Sequence, residues 1–157
     1  MGCAADAQPE RSPLKPTRVC EAISEVEAGG KAVAVIGRFS FREYGRFLSE
    51  ASCGEDEGTS SLQVIYDDNS GIKTPDEFVL DRTDLYEKLA VVKRKTRLKQ
   101  FRFGSTEYDR WAVVYGRIEP LTESDRKGAS RHGSEFAGVS GRLVCQSETM
   151  VVVIREP

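Results

Sequence analysis

At 157 residues, with 39% hydrophobic and 31% charged side chains, the chain fits one domain able to bury a core without a structural metal. Its formal net charge of −2 excludes a protein coated in cations for nucleic acid, while leaving room for a local basic patch. No apolar run approaches the roughly 18 residues that a membrane-crossing helix requires.

Residues 1–17 are polar and proline-containing and read as a flexible lead-in to a domain over 18–157. Ala5-Asp6-Ala7 before Gln8 matches the small-residue end of an export signal, and Gly2-Cys3 matches a lipoprotein processing site. An ordinary chain start is the plain alternative. Myristoylation is excluded, because Asp6 stands where that signal needs Ser or Thr.

RVCEAISEVEA (18–28) places Val19, Ile23 and Val26 at helical spacing, and Gly29-Gly30 stops the helix. Lys31 to Arg42 is a strand with Val33, Val35, Gly37, Phe39 and Phe41 on one face. Glu43-Tyr44-Gly45 turns the chain into a second strand, Arg46 to Ala51, and CGEDEGTSS (53–61) reads as a loop. In SLQVIYDD, Leu62, Val64 and Tyr66 alternate with Gln63 and Ile65, giving a third strand. The period then changes. Thr74-Pro75-Asp76-Glu77 has the form of a capping box, and Leu85, Leu89 and Val92 continue a helical stripe towards Thr96. Asp81 or Thr83 offers a cap for a second helix inside that segment. Tyr108 to Glu119 is the fourth strand, LTESDRKGASRHGSEFAG (121–138) a long polar loop, and roughly Gly141 to Arg155 the fifth strand.

Helix, three strands, helix, two strands is the order of a five-stranded Greek-key barrel of the OB type, mainly β with helical additions. Two near-repeats support it. AVAVIGRF (32–39) and AVVYGRIE (112–119) each hold a glycine inside an apolar run, Gly37 and Gly116, where strands one and four must bend.

Several features share a pattern: Val19-Cys20-Glu21-Ala22 on a helix, Gly30-Lys31 with Val33, Val35 and Gly37, and Cys53 after the second strand. Arg131-His132-Gly133 before Val151-Val152-Val153 completes it. In these the chain resembles a group of small exported bacterial proteins with OB-like domains and no assigned function. It departs from them in the long basic helix end at 93–102. The resemblance implies the fold and an oxidising compartment (periplasmic, secreted or lipid-anchored), and no activity.

Of the four cysteines, Cys20 and Cys53 are placed so that one bridge would pin the first helix across the barrel end. Such a bridge would add roughly 4 kcal/mol in the chain-entropy account. The alternative is two buried free thiols of a cytoplasmic protein. With no C-x-x-C and a single histidine, His132, neither a metal site nor a cofactor is expected, and no nucleophile motif accompanies that histidine. The expectation is a non-enzymatic binding module meeting a protein or envelope component at Tyr44, Arg46, Tyr66, Arg131 and His132. The competing reading is a cytoplasmic binder of single-stranded nucleic acid. It would use KRKTRLKQFRF: Lys93, Arg94, Lys95, Arg97, Lys99 and Arg102 for phosphates, Phe101 and Phe103 for base stacking. A purely structural domain is the third class.

Overall fold

The computed structural model describes residues 13–24, 31–42, 45–51, 53, 59–72, 79–98, 108–132 and 138–155. In chain order the elements are β1 (Thr17–Arg18), α1 (Val19–Ser24), β2 (Ala32–Arg42), β3 (Gly45–Ala51), β4 (Thr59–Tyr66), α2 (Arg82–Lys95), β5 (Tyr108–Glu119), α3 (Glu123–His132), β6 (Val139–Cys145), a 3-10 turn (Glu148–Met150) and β7 (Val151–Val153).

β2, β3 and β4 form an antiparallel meander, β4 pairs in parallel with β6, β6 pairs antiparallel with β5, and β5 returns to β2. Those five strands close a mixed, OB-like barrel, with β1 and β7 as two short additions beside it. The parallel β4–β6 pair forces the Greek-key crossover, since parallel neighbours cannot be joined by a tight turn. Side-chain alternation decides what lies inside. Val35 and Phe39 of β2, Leu48 of β3, Leu62 and Val64 of β4, Ala112 and Val114 of β5, and Leu143 of β6 fill the interior. The expected faces of the first and third strands are thus the observed ones.

The opposite face of β2 and β5 is apolar too, because a helix covers it. Leu85, Leu89 and Val92 of α2 pack on Ala34, Ile36, Trp111 and Val113. Burying the three helical side chains contributes about 2 kcal/mol each, and Leu89→Asp would undo the contact. Asp81 caps the helix, its side chain accepting from the Asp84 N–H at 3.1 Å. The capping box at 74–77 lies outside the described residues.

The twin glycines sit where a strand changes neighbours. Along one edge β2 pairs with β1 through Val35 and Ile36, then with β3 from Arg38 onward, and Gly37 lies between. β5 pairs with β7 through Ala112 to Val114, then with β6 from Arg117, and Gly116 lies between. A Cβ on Gly37 would stand 2.9 Å from the Ser49 carbonyl oxygen, and one on Gly116 would stand 2.5 Å from that of Val144. No other residue type admits so close an approach of two backbones.

Three expectations are corrected. The polar loop at 121–138 contains α3, started by Thr122, whose Oγ1 accepts from the Asp125 N–H at 3.1 Å while Asp125 accepts from the Thr122 N–H at 2.8 Å. This reciprocal cap defines a helix that carries no apolar stripe. The fifth strand is two strands, because the Ser147 side chain accepts from the Thr149 N–H and starts a 3-10 turn; β7 then pairs with β5 alone. The third strand begins at Thr59, inside the segment read as a loop. Part of the lead-in is also bonded to the domain: Leu14 bridges Leu80, and Thr17 pairs with Val35.

Candidate functional site

β3 has Arg46, Leu48 and Glu50 on its inward face, so it places a cation at one end of the barrel and a carboxylate at the other. Each end forms a cluster.

At the first end, Phe41 of β2 stands directly opposite Arg46 of β3, and Tyr66 of β4 stands opposite Cys145 of β6. The Arg46 guanidinium lies 4.3 Å from the Tyr66 ring centre and 5.5 Å from that of Phe41. Phe41 in turn meets Phe39 edge to face at 5.1 Å. Two aromatic faces thus hold one cation at the barrel mouth, each contact contributing about 0.5–1 kcal/mol or more where water is excluded. The Arg46 Nε–H is buried and finds no acceptor among the described residues. Burial pushes the Tyr66 hydroxyl above its ordinary pKa, while the Arg46 charge draws it down. The Cys145 thiol, also buried, is pushed up to about 11, against the same pull from Arg46. Its Sγ donates to the Ile65 carbonyl at 3.5 Å.

At the other end a disulfide joins Cys20 of α1 to Cys53 beyond β3. Glu50 lies beside it, 4% exposed, and its Oε2 accepts from the Cys20 N–H at 3.1 Å. Arg18 Nε stands 3.5 Å from the other carboxylate oxygen. A carboxylate at a helix start satisfies a donor that the helix itself cannot. Burial nevertheless raises the Glu50 pKa, with the Cys20 N–H and Arg18 opposing that rise and Glu21 adding to it. The carboxylate and both sulfurs fall within 4.8 Å of one another, but the sulfurs are already bonded together.

Of the residues expected to meet a ligand, the structure brings Arg46 and Tyr66 together. Tyr44 lies outside the described residues. Arg131 and His132 are at the end of α3, not in a loop, and α3 side chains are described only as far as Lys127. The segment carrying them leaves β5 at Glu119 and enters β6 at Val139, both at the barrel end opposite Arg46. Phe41 completes the mouth and was not singled out by sequence. Its signal was its position facing Arg46 across a short hairpin.

Lys93, Arg94 and Lys95 form the exposed last turn of α2, where cations complement the helix dipole, and Arg97 follows, exposed as well. This end is tied to the barrel by Thr96 Oγ1, which accepts from the Ala51 N–H at 2.8 Å, and by the Arg97 carbonyl, which accepts from Arg38 at 3.0 Å. Ala51 ends β3 five residues after Arg46, so the basic run and the mouth stand roughly 17 Å apart along that strand. Lys99, Phe101, Arg102 and Phe103 lie outside the described residues. Among the described residues no helix is long and apolar enough to cross a membrane. Comparison with protein families, curated proteins and solved structures returns no match.

Proposed function

We propose that the chain is a non-enzymatic binding module of an exported or envelope-attached bacterial protein, with Arg46 at the centre of its ligand site. The observation that carries this reading is the Arg46 side chain itself: clamped between two aromatic rings, with a buried Nε–H that finds no acceptor among the described residues. A buried donor without a partner costs about 1–3 kcal/mol, and an incoming acceptor would recover it. The ligand that fits is a protein or envelope component presenting a carboxylate or similar anion to Arg46, and apolar surface to Phe41 at the rim. Support for the compartment comes from the Cys20–Cys53 bridge, because disulfides persist where the surroundings are oxidising.

The test is crosslinking in an envelope fraction, comparing the native chain with Arg46→Ala and Tyr66→Ala. Recovery of one partner by the native chain and its loss with both variants supports the reading. Recovery that ignores Arg46 ends it. A second reading, binding of single-stranded nucleic acid, is favoured by the exposed cations at the end of α2. It requires affinity for an oligonucleotide that falls steeply with salt and collapses when Lys93, Lys95 and Arg97 become alanine.

A further inference from the structure

Five large apolar side chains are exposed among the described residues, and three of them line one groove: Val79 at 50%, Tyr86 at 40% and Val153 at 38%. The groove holds about 510 Å³ and runs between the start of α2 and β7. Leu80, Leu85 and Ile154 form its floor, so it opens onto the helix–sheet core. A pocket of that size can bury the side chains on one face of a short extended segment.

One wall is a strand edge with no pairing strand among the described residues. There β7 pairs with β5 alone, through Ala112–Val153, Val113–Val152 and Val114–Val151. The Ile154 N–H donates to the Trp111 carbonyl at 2.9 Å, which fixes the phase of the ladder. Residues 152 and 154 therefore bond towards β5, and the N–H and C=O of Val153 and Arg155 point outward. Neither pair of outward groups finds a backbone partner among the described residues. A row of outward backbone groups beside an apolar trough is the arrangement that accepts an added strand.

Charge selects the occupant. Arg82 and Arg155 line the groove, both are exposed, and neither has an acidic partner among the described residues. Among the described residues, the acids at the start of α2 are committed: Asp81 caps the helix, and Asp84 pairs with Lys88 at 2.9 Å. We propose that the β7 edge binds an extended segment of another protein by strand addition, a segment alternating apolar residues with Asp or Glu. Its apolar side chains take the α2 side and fill the trough over Val79, Tyr86 and Leu85, and its acids, on the alternate positions, share the other face with Arg155. A second copy of this chain is the poorer occupant, since its own edge would bring another Arg155 to a place already positive. The residues lining this surface do not include Phe41, Arg46 or Tyr66 of the mouth, and either proposal can fail without the other.

The probe is a fluorescein-labelled peptide of about eight residues alternating isoleucine and glutamate, blocked at both ends and titrated into the full chain by anisotropy. Saturable binding is expected, with the peptide N-methylated at alternate amides, or carrying lysine for glutamate, about tenfold weaker. Val153→Pro removes only an outward donor and leaves the β5–β7 ladder intact, so it should weaken binding by a similar factor while the thermal midpoint is retained. Tyr86→Ala, on the exposed face of α2, gives a second variant whose folding is not at stake, and it too should bind more weakly. Arg155→Glu should reverse the preference towards the lysine peptide. The proposal is overturned if no peptide saturates up to about 1 mM, or if N-methylation and the variants leave affinity unchanged. It is equally overturned if sedimentation shows a dimer that Val153→Pro dissolves, because the edge then belongs to a second copy.

Discussion

Replacing Gly116 by alanine tests the account of the barrel most directly, because two effects predict opposite signs. Gly116 is not in the left-handed region, so alanine adopts its backbone freely and would stabilise by about 0.4–1 kcal/mol through the unfolded chain alone. Against that, the new methyl would lie 2.5 Å from the Val144 carbonyl oxygen and 3.0 Å from its carbon. Both are backbone atoms of a paired strand and cannot rotate away. Val144 must retreat by the better part of an ångström, and it forms the first of only three residue pairs joining β5 to β6. Overpacking of this kind costs about 1–3 kcal/mol, and loss of a rung adds about 1 kcal/mol. The steric effect wins, for a net loss of about 2 kcal/mol, or roughly 4–8 °C in the unfolding midpoint of a domain this size. Circular dichroism with heat and with urea reads both quantities. Gly71→Ala is the control: it forces alanine to φ +73° in open space and should lose only about 1–2 kcal/mol. A Gly116→Ala protein as stable as the native one, or more so, would show that the two backbones do not meet there.

Reducing the Cys20–Cys53 bridge, or replacing both cysteines by serine, should lower stability by about 4 kcal/mol for its 33-residue span; urea titration with and without reductant measures it. Glu50 titrates higher in the fold than in the unfolded chain. Its contribution is therefore present below its ordinary value of 4.5 and is lost as pH rises through the folded value. Glu50→Gln should remove that component from a stability–pH curve, and a curve unchanged in shape refutes it. Native protein should leave Cys145 unalkylated by iodoacetamide at pH 8 and modify it only when unfolded, as intact mass will show; rapid native labelling contradicts its burial.

The barrel was legible where packing imposes a short period. β2 and β4 carry their interior residues at every second position, and Gly37 and Gly116 marked the places where pairing changes sides. The disulfide was legible because both cysteines fell at element ends on the same side of the barrel. α3 escaped because ESDRKGASRH has no apolar face to announce a helix; only Thr122 and Asp125, three apart, encode its start. β1 escaped because a two-residue strand has no period at all. For the site, Arg46 and Tyr66 stood out as polar and aromatic residues on an OB-type ligand face, whereas Phe41 read as one more core residue. Its exposure of 36% arises from lying past the last closed turn of the barrel, which is a property of the assembled mouth. Where the segment carrying Arg131 and His132 leaves and rejoins the barrel depends on the directions in which β5 and β6 run, and single strands do not encode that.

The ladder that closes the barrel has a consequence for the order of events during synthesis. Residues 32–41 find their partners only at 108–117, so the first long strand keeps an open edge until those later residues have been made. The cysteine pair, by contrast, lies wholly within the first 53 residues and beside the β2–β3–β4 meander. Oxidation can therefore lock an N-terminal half-barrel before the closing strand exists. Closure is the slow, non-local step, and the interval before it is when the exposed β2 edge is open to pairing with a neighbouring nascent chain.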